Sequence, residues 1–347
     1  CYAGFLLEVE HAEGGERVVG KVTAERMISR GSDRIELSEL HKAYEEKLEP
    51  VFPTRTDERR SAPETLSGAL RKSCAPAVRT TRPTVLIPVF PGTNCEYDSA
   101  KAVEDAGANA RIVVINNRTA DGISFSSEAF SHAVGESQAI FIPGGFSGGD
   151  EPDGSGKFIT AFFRGAEVRD AVTDLLDRRG GLMCGICNGF QALIKLGLVP
   201  YGKIIDTDES CPTLTYNTIA RHQSRIVRTR IVSNSSPWLS LMNVGDVVNV
   251  PISHGEGRFI ASDELMQSLI ENGQVATQYV DLDGYATYDI RYNPNGSLLA
   301  VEGITSPDGR VFGKMGHSER IGNGLYKNVP GCYDIRMFES AVRFFKG

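Results

Sequence analysis

The stretch GGLMCGICNGFQALIKLG carries two cysteines three residues apart, Cys184 and Cys187. GLMC reads as the end of an apolar strand and FQALIKL as a helix, so Cys187 falls on the turn between them. Small residues on both sides let the backbone bend tightly there. A thiol at such a strand-to-helix turn is presented as a nucleophile, and the amide donors and field of the following helix favour its thiolate form. Cys184 lies within the strand and reads as core. The C-x-x-C spacing also fits a redox pair or half of a zinc site. A thioredoxin-like pair, however, has its first cysteine at the helix start, and no second compact Cys/Cys or Cys/His pair completes four zinc ligands.

A cysteine nucleophile needs a base, and the base needs an orienting acceptor. Four of the six histidines read as surface or packing residues: His11 and His41 in the leading segment, His132 in SEAFSHAVG and His222 in ARHQSR. Two remain, His254 with Glu256 in PISHGEGRF and His317 with Glu319 in GKMGHSERIG. Both pairs follow strand-like runs at the same spacing, so the local sequence leaves both open. The oxyanion of an acyl-transfer step needs aligned amide donors. The loop PGGFSGG, residues 143–149, offers them at Gly144 and Gly145, and the amide of Asn188 is another. Gln191, four residues after Cys187, returns to the same helix face.

A sheet has to position these residues. TVLIPVF, YDSAKAVEDAGAN and ARIVVIN read as strand, helix and strand within about 30 residues, the start of a parallel sheet with right-handed crossovers. QAIFIPGG repeats the strand-to-glycine-loop pattern, and VRDAVTDLLDRRGG is a helix with a glycine stop. RIVRTRIVS, DVVNVPI, SLLAVEGI and RVFGKM alternate with turn-rich connections in the last third. The expected fold is α/β, a mixed, mostly parallel sheet flanked by helices, with ligands beyond the carboxyl ends of the strands.

The first 53 residues read differently. AGFLLEVE and RVVGKV suggest short strands, and Leu37, Leu40, Ala43 and Tyr44 recur at helical spacing before Pro50. These fragments are expected to be the last elements of a preceding domain, and an opening at CYAG, without Met, suggests a piece of a longer polypeptide. Residues 54–83 read as a connector with one weak helical segment, ETLSGALRK, before an organised unit over 84–347. A net charge of -7 and a single tryptophan argue against a non-specific nucleic-acid surface. No apolar run reaches the roughly 18 residues of a membrane span, and no secretory apolar segment opens the chain. Seven scattered cysteines fit a reducing cytoplasm.

VLIPVFPGTNCEYDSAKA, IFIPGGFSGGD, CGICNGFQAL, PISHGEGRF and MGHSERI together resemble the glutaminase domain of phosphoribosylformylglycinamidine synthase. That domain is a class I (triad) glutamine amidotransferase with a flavodoxin-like core, and the resemblance runs from about Val85 to the C-terminus. It implies Cys187 as nucleophile, His317 as base and Glu319 as its partner, and it makes His254, Glu256 and Arg258 site-shaping or coupling residues. Asn94, Cys95 and Asp98 are carried over only as neighbours of the pocket. The family's local pattern has proline where this chain has Ser318, and more often an aromatic and an acid at His222 and Gln223. The resemblance also implies that 1–53 ends an aminoimidazole ribonucleotide synthetase-like domain of a large single-chain enzyme, whose missing body holds ATP and magnesium and receives ammonia internally. No cofactor or metal is implied for this chain itself. Two alternatives stand beside this: a cysteine hydrolase of a related class I-like branch, and a catalytically silent docking domain.

Overall fold

The computed structural model describes residues 4–12, 14, 15, 17–56, 61–68, 75–146, 156–322 and 324–347, in two units, Cys1–Thr56 and Asp57–Gly347. In the first, β1 (Met27–Arg30) and β2 (Asp33–Glu36) form an antiparallel hairpin that leads into α1 (Leu37–Glu45). The helix follows the expected spacing and stops before Pro50, yet none of its residues is buried. The strands expected in AGFLLEVE and RVVGKV do not form among the described residues, and Phe5, Leu6, Val18 and Val19 are exposed. Alternation specifies a strand only where one face is buried, and these runs have no such face.

The second unit opens with a parallel β/α series: β3 (Thr84–Val89), α2 (Glu96–Asp105), β4 (Asn109–Val114), α3 (Ala120–Glu136), β5 (Ala139–Ile142), α4 (Lys157–Arg164) and α5 (Ala166–Thr173), which runs into a π-helical turn. β6 (Leu182–Ile186) then feeds α6 (Asn188–Leu196) and the short α7 (Leu198–Tyr201). The later strands are β7 (Thr213–Tyr216), β8 (Gln223–Ile231), β9 (Val247–His254) and β10 (Glu256–Ile260). After α8 (Asp263–Glu271) come β11 (Val275–Val280), β12 (Val301–Thr305), β13 (Val311–Lys314) and the closing α9 (Met337–Lys346).

Nine strands form one mixed sheet in the order β4-β3-β5-β6-β13-β12-β11-β8-β9. The five from β4 to β13 run parallel to one another, and from β13 to β9 the sheet continues antiparallel. β7 and β10 pair separately. Every residue of β5 and β6 is buried, as expected of central parallel strands covered on both faces. Phe90, Phe130, Phe162 and Phe163 contact one another at ring distances of 5.4 to 6.4 Å and fill the core beside β3 and β5. No described helix is long and apolar enough to cross a membrane.

The connector is docked, but not as a helix. Pro63 and Leu66 are buried, and residues 64–68 of ETLSGALRK form no helix, while 69–72 lie outside the described residues. The Leu66 amide donates to Gln278 Oε1 at 2.8 Å, the Gln278 amide donates to Glu64 O at 3.1 Å, and the Gly68 amide donates to Val232 O at 2.7 Å. Tertiary hydrogen bonds thus replace the helical ones that a short segment could not sustain alone.

Candidate active site

β6 ends at Ile186 and α6 begins at Asn188, so Cys187 is the single residue between them, with φ 53° and ψ -107°. A non-glycine residue is held in that region only when its surroundings over-determine it. The Cys187 amide donates to Lys314 O on β13 at 2.9 Å, and the Cys187 carbonyl accepts from Gln191 N at 3.0 Å. Gly189 permits the turn: a Cβ there would lie 2.2 Å from Ile142 O, so only glycine lets α6 approach β5 this closely. Cys184 lies in β6 without exposed surface, and burial pushes its thiol well above the ordinary value.

β13 delivers the partner residues. Three residues beyond its end, His317 donates from Nδ1 to Glu319 Oε1 at 2.6 Å, and both side chains are buried. Burial opposes charge on His317, but Glu319 and hydrogen bonds to Cys187, Cys95 and Glu319 outweigh it and hold the imidazole well above its ordinary value. Burial likewise pushes Glu319 upward, and the charge and hydrogen bond of His317 override it, so that its carboxyl ends below the usual range. With Nδ1–H committed to Glu319, Nε2 is the nitrogen left to exchange a proton with Cys187.

His254, the rival, sits differently. It is buried at the end of β9, Nδ1 faces Asn217 Oδ1 at 3.3 Å, and Nε2 has no hydrogen-bond partner among the described residues. Burial, followed by the nearby charges of His317 and His222, pushes its pKa down to about 3, so it is a neutral imidazole. The turn it belongs to nevertheless covers Cys187. Ser253 O lies 3.9 Å from Cys187 Sγ, and Gln191 Nε2 donates to Glu256 O at 3.0 Å. Asn188 Nδ2 donates to Gln191 Oε1 at 3.1 Å, so α6 and the HGEGR segment are tied together. Arg258 pairs across to Thr215 in the separate two-stranded ribbon. His222 Nε2 meets Ser253 Oγ at 3.1 Å, which places the His222–Gln223 segment beside this turn.

The glycine loop closes the site from the other side. A Cβ on Gly144 would lie 2.6 Å from His317 Cε1 and 3.4 Å from Cys187 Cβ, so the loop backbone touches both groups. Gly145, with φ 145°, is stapled to the GTNC segment: Asn94 N donates to Gly144 O at 3.1 Å and Phe146 N to Gly92 O at 2.8 Å. Residues 147–149 of the loop lie outside the described residues. Cys95 is drawn in as well, its Sγ 3.8 Å from His317 Nδ1 and accepting from Arg320 Nη2 at 2.7 Å. Asn94 Oδ1 accepts from the Cys95 thiol at 2.8 Å, whereas Asp98 is exposed on α2 and acts on Arg320 only through its charge.

Sequence reasoning passed over two supports. Lys314 is fully buried, and its ammonium donates to Gly316 O and Ser318 Oγ, each at 2.9 Å, while lying 3.1 Å from Glu302 Oε1. Glu302 Oε1 also accepts from Gly316 N at 2.7 Å, and Thr277 Oγ1 donates to Oε2. This network grips the turn that carries His317, and Ser318 is one of its members. A lone Lys in VFGKM and a lone Glu in AVEGI, each inside an apolar strand, were the available signal. The second support is Asn217, whose Nδ2 donates to His254 O at 2.8 Å and to Arg221 O at 2.9 Å.

A CobB/CobQ-like glutamine amidotransferase domain matches residues 82–345. The chain is 34% identical over 267 residues to phosphoribosylformylglycinamidine synthase subunit PurQ of Chlorobium chlorochromatii, covering 76% of this chain and 98% of that protein. Against the subunit of the same name from Methanococcus maripaludis it is 36% identical over 255 residues, covering 73% and 87%. A solved structure of PurLQS from Thermotoga maritima overlays with a TM-score of 0.55 at 25% identity, covering 76% of this chain and 100% of that one.

Proposed function

Since the chain belongs to the CobB/CobQ-like glutamine amidotransferase family, we propose that it releases ammonia from the side-chain amide of glutamine through a thioester on Cys187. The observation that carries this reading is the strained Cys187 turn facing a buried His317–Glu319 pair joined at 2.6 Å. The Cys187 thiolate attacks the amide carbon, and His317 protonates the departing ammonia. Water then attacks the γ-glutamyl thioester, His317 takes its proton, and glutamate and the free thiol result. Glu319 holds the ring with Nε2 toward the sulfur and stabilises the imidazolium. The backbone at Gly144 and Gly145 and the amide of Asn188 are the donors proposed for the oxyanion.

The ammonia serves an ATP-dependent synthetase that converts formylglycinamide ribonucleotide to formylglycinamidine ribonucleotide in purine biosynthesis. Relatives named as subunits of that synthase, and a structure named PurLQS, support this reading. ATP and magnesium belong to the synthetase, and residues 1–53 are proposed to be the end of that region in a single longer chain. The chain is expected to act in the cytoplasm. Mass spectrometry after treatment with a glutamine-mimicking electrophile, together with a glutamate-release assay, tests the glutaminase. An adduct on Cys187 and loss of glutamate release in Cys187→Ser are expected; comparable labelling of Cys184 or Cys95 refutes the assignment.

A further inference from the structure

Glutamine hydrolysis makes no use of the thiol that stands behind His317. Cys95 is buried at the head of α2, in a left-handed conformation with φ 72°. Its Sγ, an imidazole nitrogen of His317 and a carboxylate oxygen of Glu319 all lie within 4.8 Å of one another. Glu319 supplies a second observation: Oε1 accepts the imidazole N–H, but Oε2 is buried with no hydrogen-bond partner among the described residues. A buried carboxylate oxygen left unsatisfied is costly, and a cation would satisfy it.

We propose that Cys95, His317 and Glu319 form a binding site for a zinc-type divalent cation that arrests the enzyme by occupying His317. Thiolate, imidazole and carboxylate are the zinc donor set, whereas magnesium and calcium demand oxygen ligands. Tetrahedral zinc with bonds of about 2.3 Å to sulfur and about 2.0 to 2.1 Å to nitrogen or oxygen sets S···N near 3.6 Å and N···O near 3.3 Å. The Cys95–His317 separation of 3.8 Å already fits. The Nδ1–Oε1 contact of 2.6 Å has to open, or the carboxylate has to turn Oε2 inward.

Charge balances as well. The dication replaces two protons, one from the Cys95 thiol and one from His317 Nδ1, and both leave to solvent. Thiol, imidazolium and carboxylate sum to zero, as do thiolate, neutral imidazole, carboxylate and dication. Arg320, which donates to Cys95 Sγ at 2.7 Å, therefore meets no added net charge. A metal on Nδ1 confines the remaining ring proton to Nε2, so the ring can no longer accept a proton from Cys187. Inhibition, though not binding, rests on reading His317 as the base.

Cobalt(II) is the probe, added to the whole chain carrying Cys187→Ser, which cannot turn over glutamine, so that failure of binding is separable from failure of the glutaminase reading. One ion per chain, a thiolate-to-cobalt charge-transfer band and tetrahedral visible absorption are expected, with zinc displacing cobalt. Adding Cys95→Ser should abolish the band and weaken zinc binding by at least the roughly 10- to 100-fold that loss of a mere outer-shell partner costs. X-ray absorption at the zinc edge of Cys187→Ser gives an answer independent of whether the double variant folds, and one sulfur among nitrogen and oxygen ligands is expected. A band that survives Cys95→Ser, a zinc shell with no sulfur or with two, or no binding at millimolar metal overturns the site.

Discussion

At the scale of single residues, His317 and Glu319 form a charge-coupled pair beside the Cys187 thiol. His317→Asn should lower steady-state glutamate release by roughly two or more orders of magnitude, the range for lost acid-base catalysis. His254→Asn should be milder, because His254 is neutral, faces Asn217 and has no carboxylate on its ring nitrogens; the reverse ranking overturns the assignment. The same pair links pH to stability with opposite signs. His317 is raised above its ordinary value of 6.5, so its share is complete below that pH and is lost as pH rises through its folded value. Glu319 is lowered from 4.5, so its share is complete above that pH and is lost as pH falls through its folded value. The difference in thermal midpoint between the natural chain and Glu319→Gln is therefore expected to be greatest between pH 4.5 and 6.5 and to shrink on either side. A difference that keeps growing above that window contradicts the ion pair.

At the scale of elements, β6, α6 and β13 place Cys187 and His317, and the glycine loop after β5 presses on both. Gly144→Ala sets a methyl 2.6 Å from His317 Cε1, so the imidazole has to move. Its expected signature is a fall in kcat for glutamine with a smaller change in thermal midpoint, since misplacement by about 1 Å can cost 10²-fold. Lys314→Met leaves Glu302 buried without its cation, a loss of about 3–5 kcal/mol that chemical denaturation would register. A loss below about 1 kcal/mol on that scale would show that the network tolerates an apolar replacement. The elbow was legible because its signal is local: an apolar strand, small residues around one cysteine, and a helix. The choice between His254 and His317 was not, since both carry the same spacing and only tertiary placement joins one ring to a carboxylate. β11 was passed over because Thr277 and Gln278 interrupt VATQYV; both are buried there, serving Glu302 and the docked connector. The connector's docking was hidden for the same reason, its hydrogen-bond partners lying more than 150 residues away in the sequence.

At the scale of the whole molecule, Cys187, His317, Glu319 and the residues that support them belong to the unit over residues 57–347. The unit over residues 1–56 has a helix without a buried residue and exposes Phe5, Leu6, Leu7 and Val22. Exposed apolar surface of that kind is the surface that the proposed synthetase region would cover under the functional reading. Free ammonia is useful only when an acceptor is ready, so contact with a loaded synthetase is the natural point at which the glutamine site would be tuned. The turn over Cys187 is the element through which such contact would act. It is held by Asn217 and Gln191, it places Ser253 O 3.9 Å from the sulfur, and its strand also accepts from His317 N at Pro251 O at 2.9 Å, so a shift there reaches both Cys187 and His317. The chain alone is therefore expected to show weak glutaminase activity while its Cys187 thiol still reacts with electrophiles. Adding the synthetase portion with nucleotide and acceptor should raise kcat for glutamine, and Asn217→Ala should blunt that stimulation more than it lowers the basal rate. Steady-state glutamate release, measured with and without the synthetase portion and its ligands, decides the matter. Equal kcat and KM in all states would remove the coupling and leave the Cys187 chemistry standing.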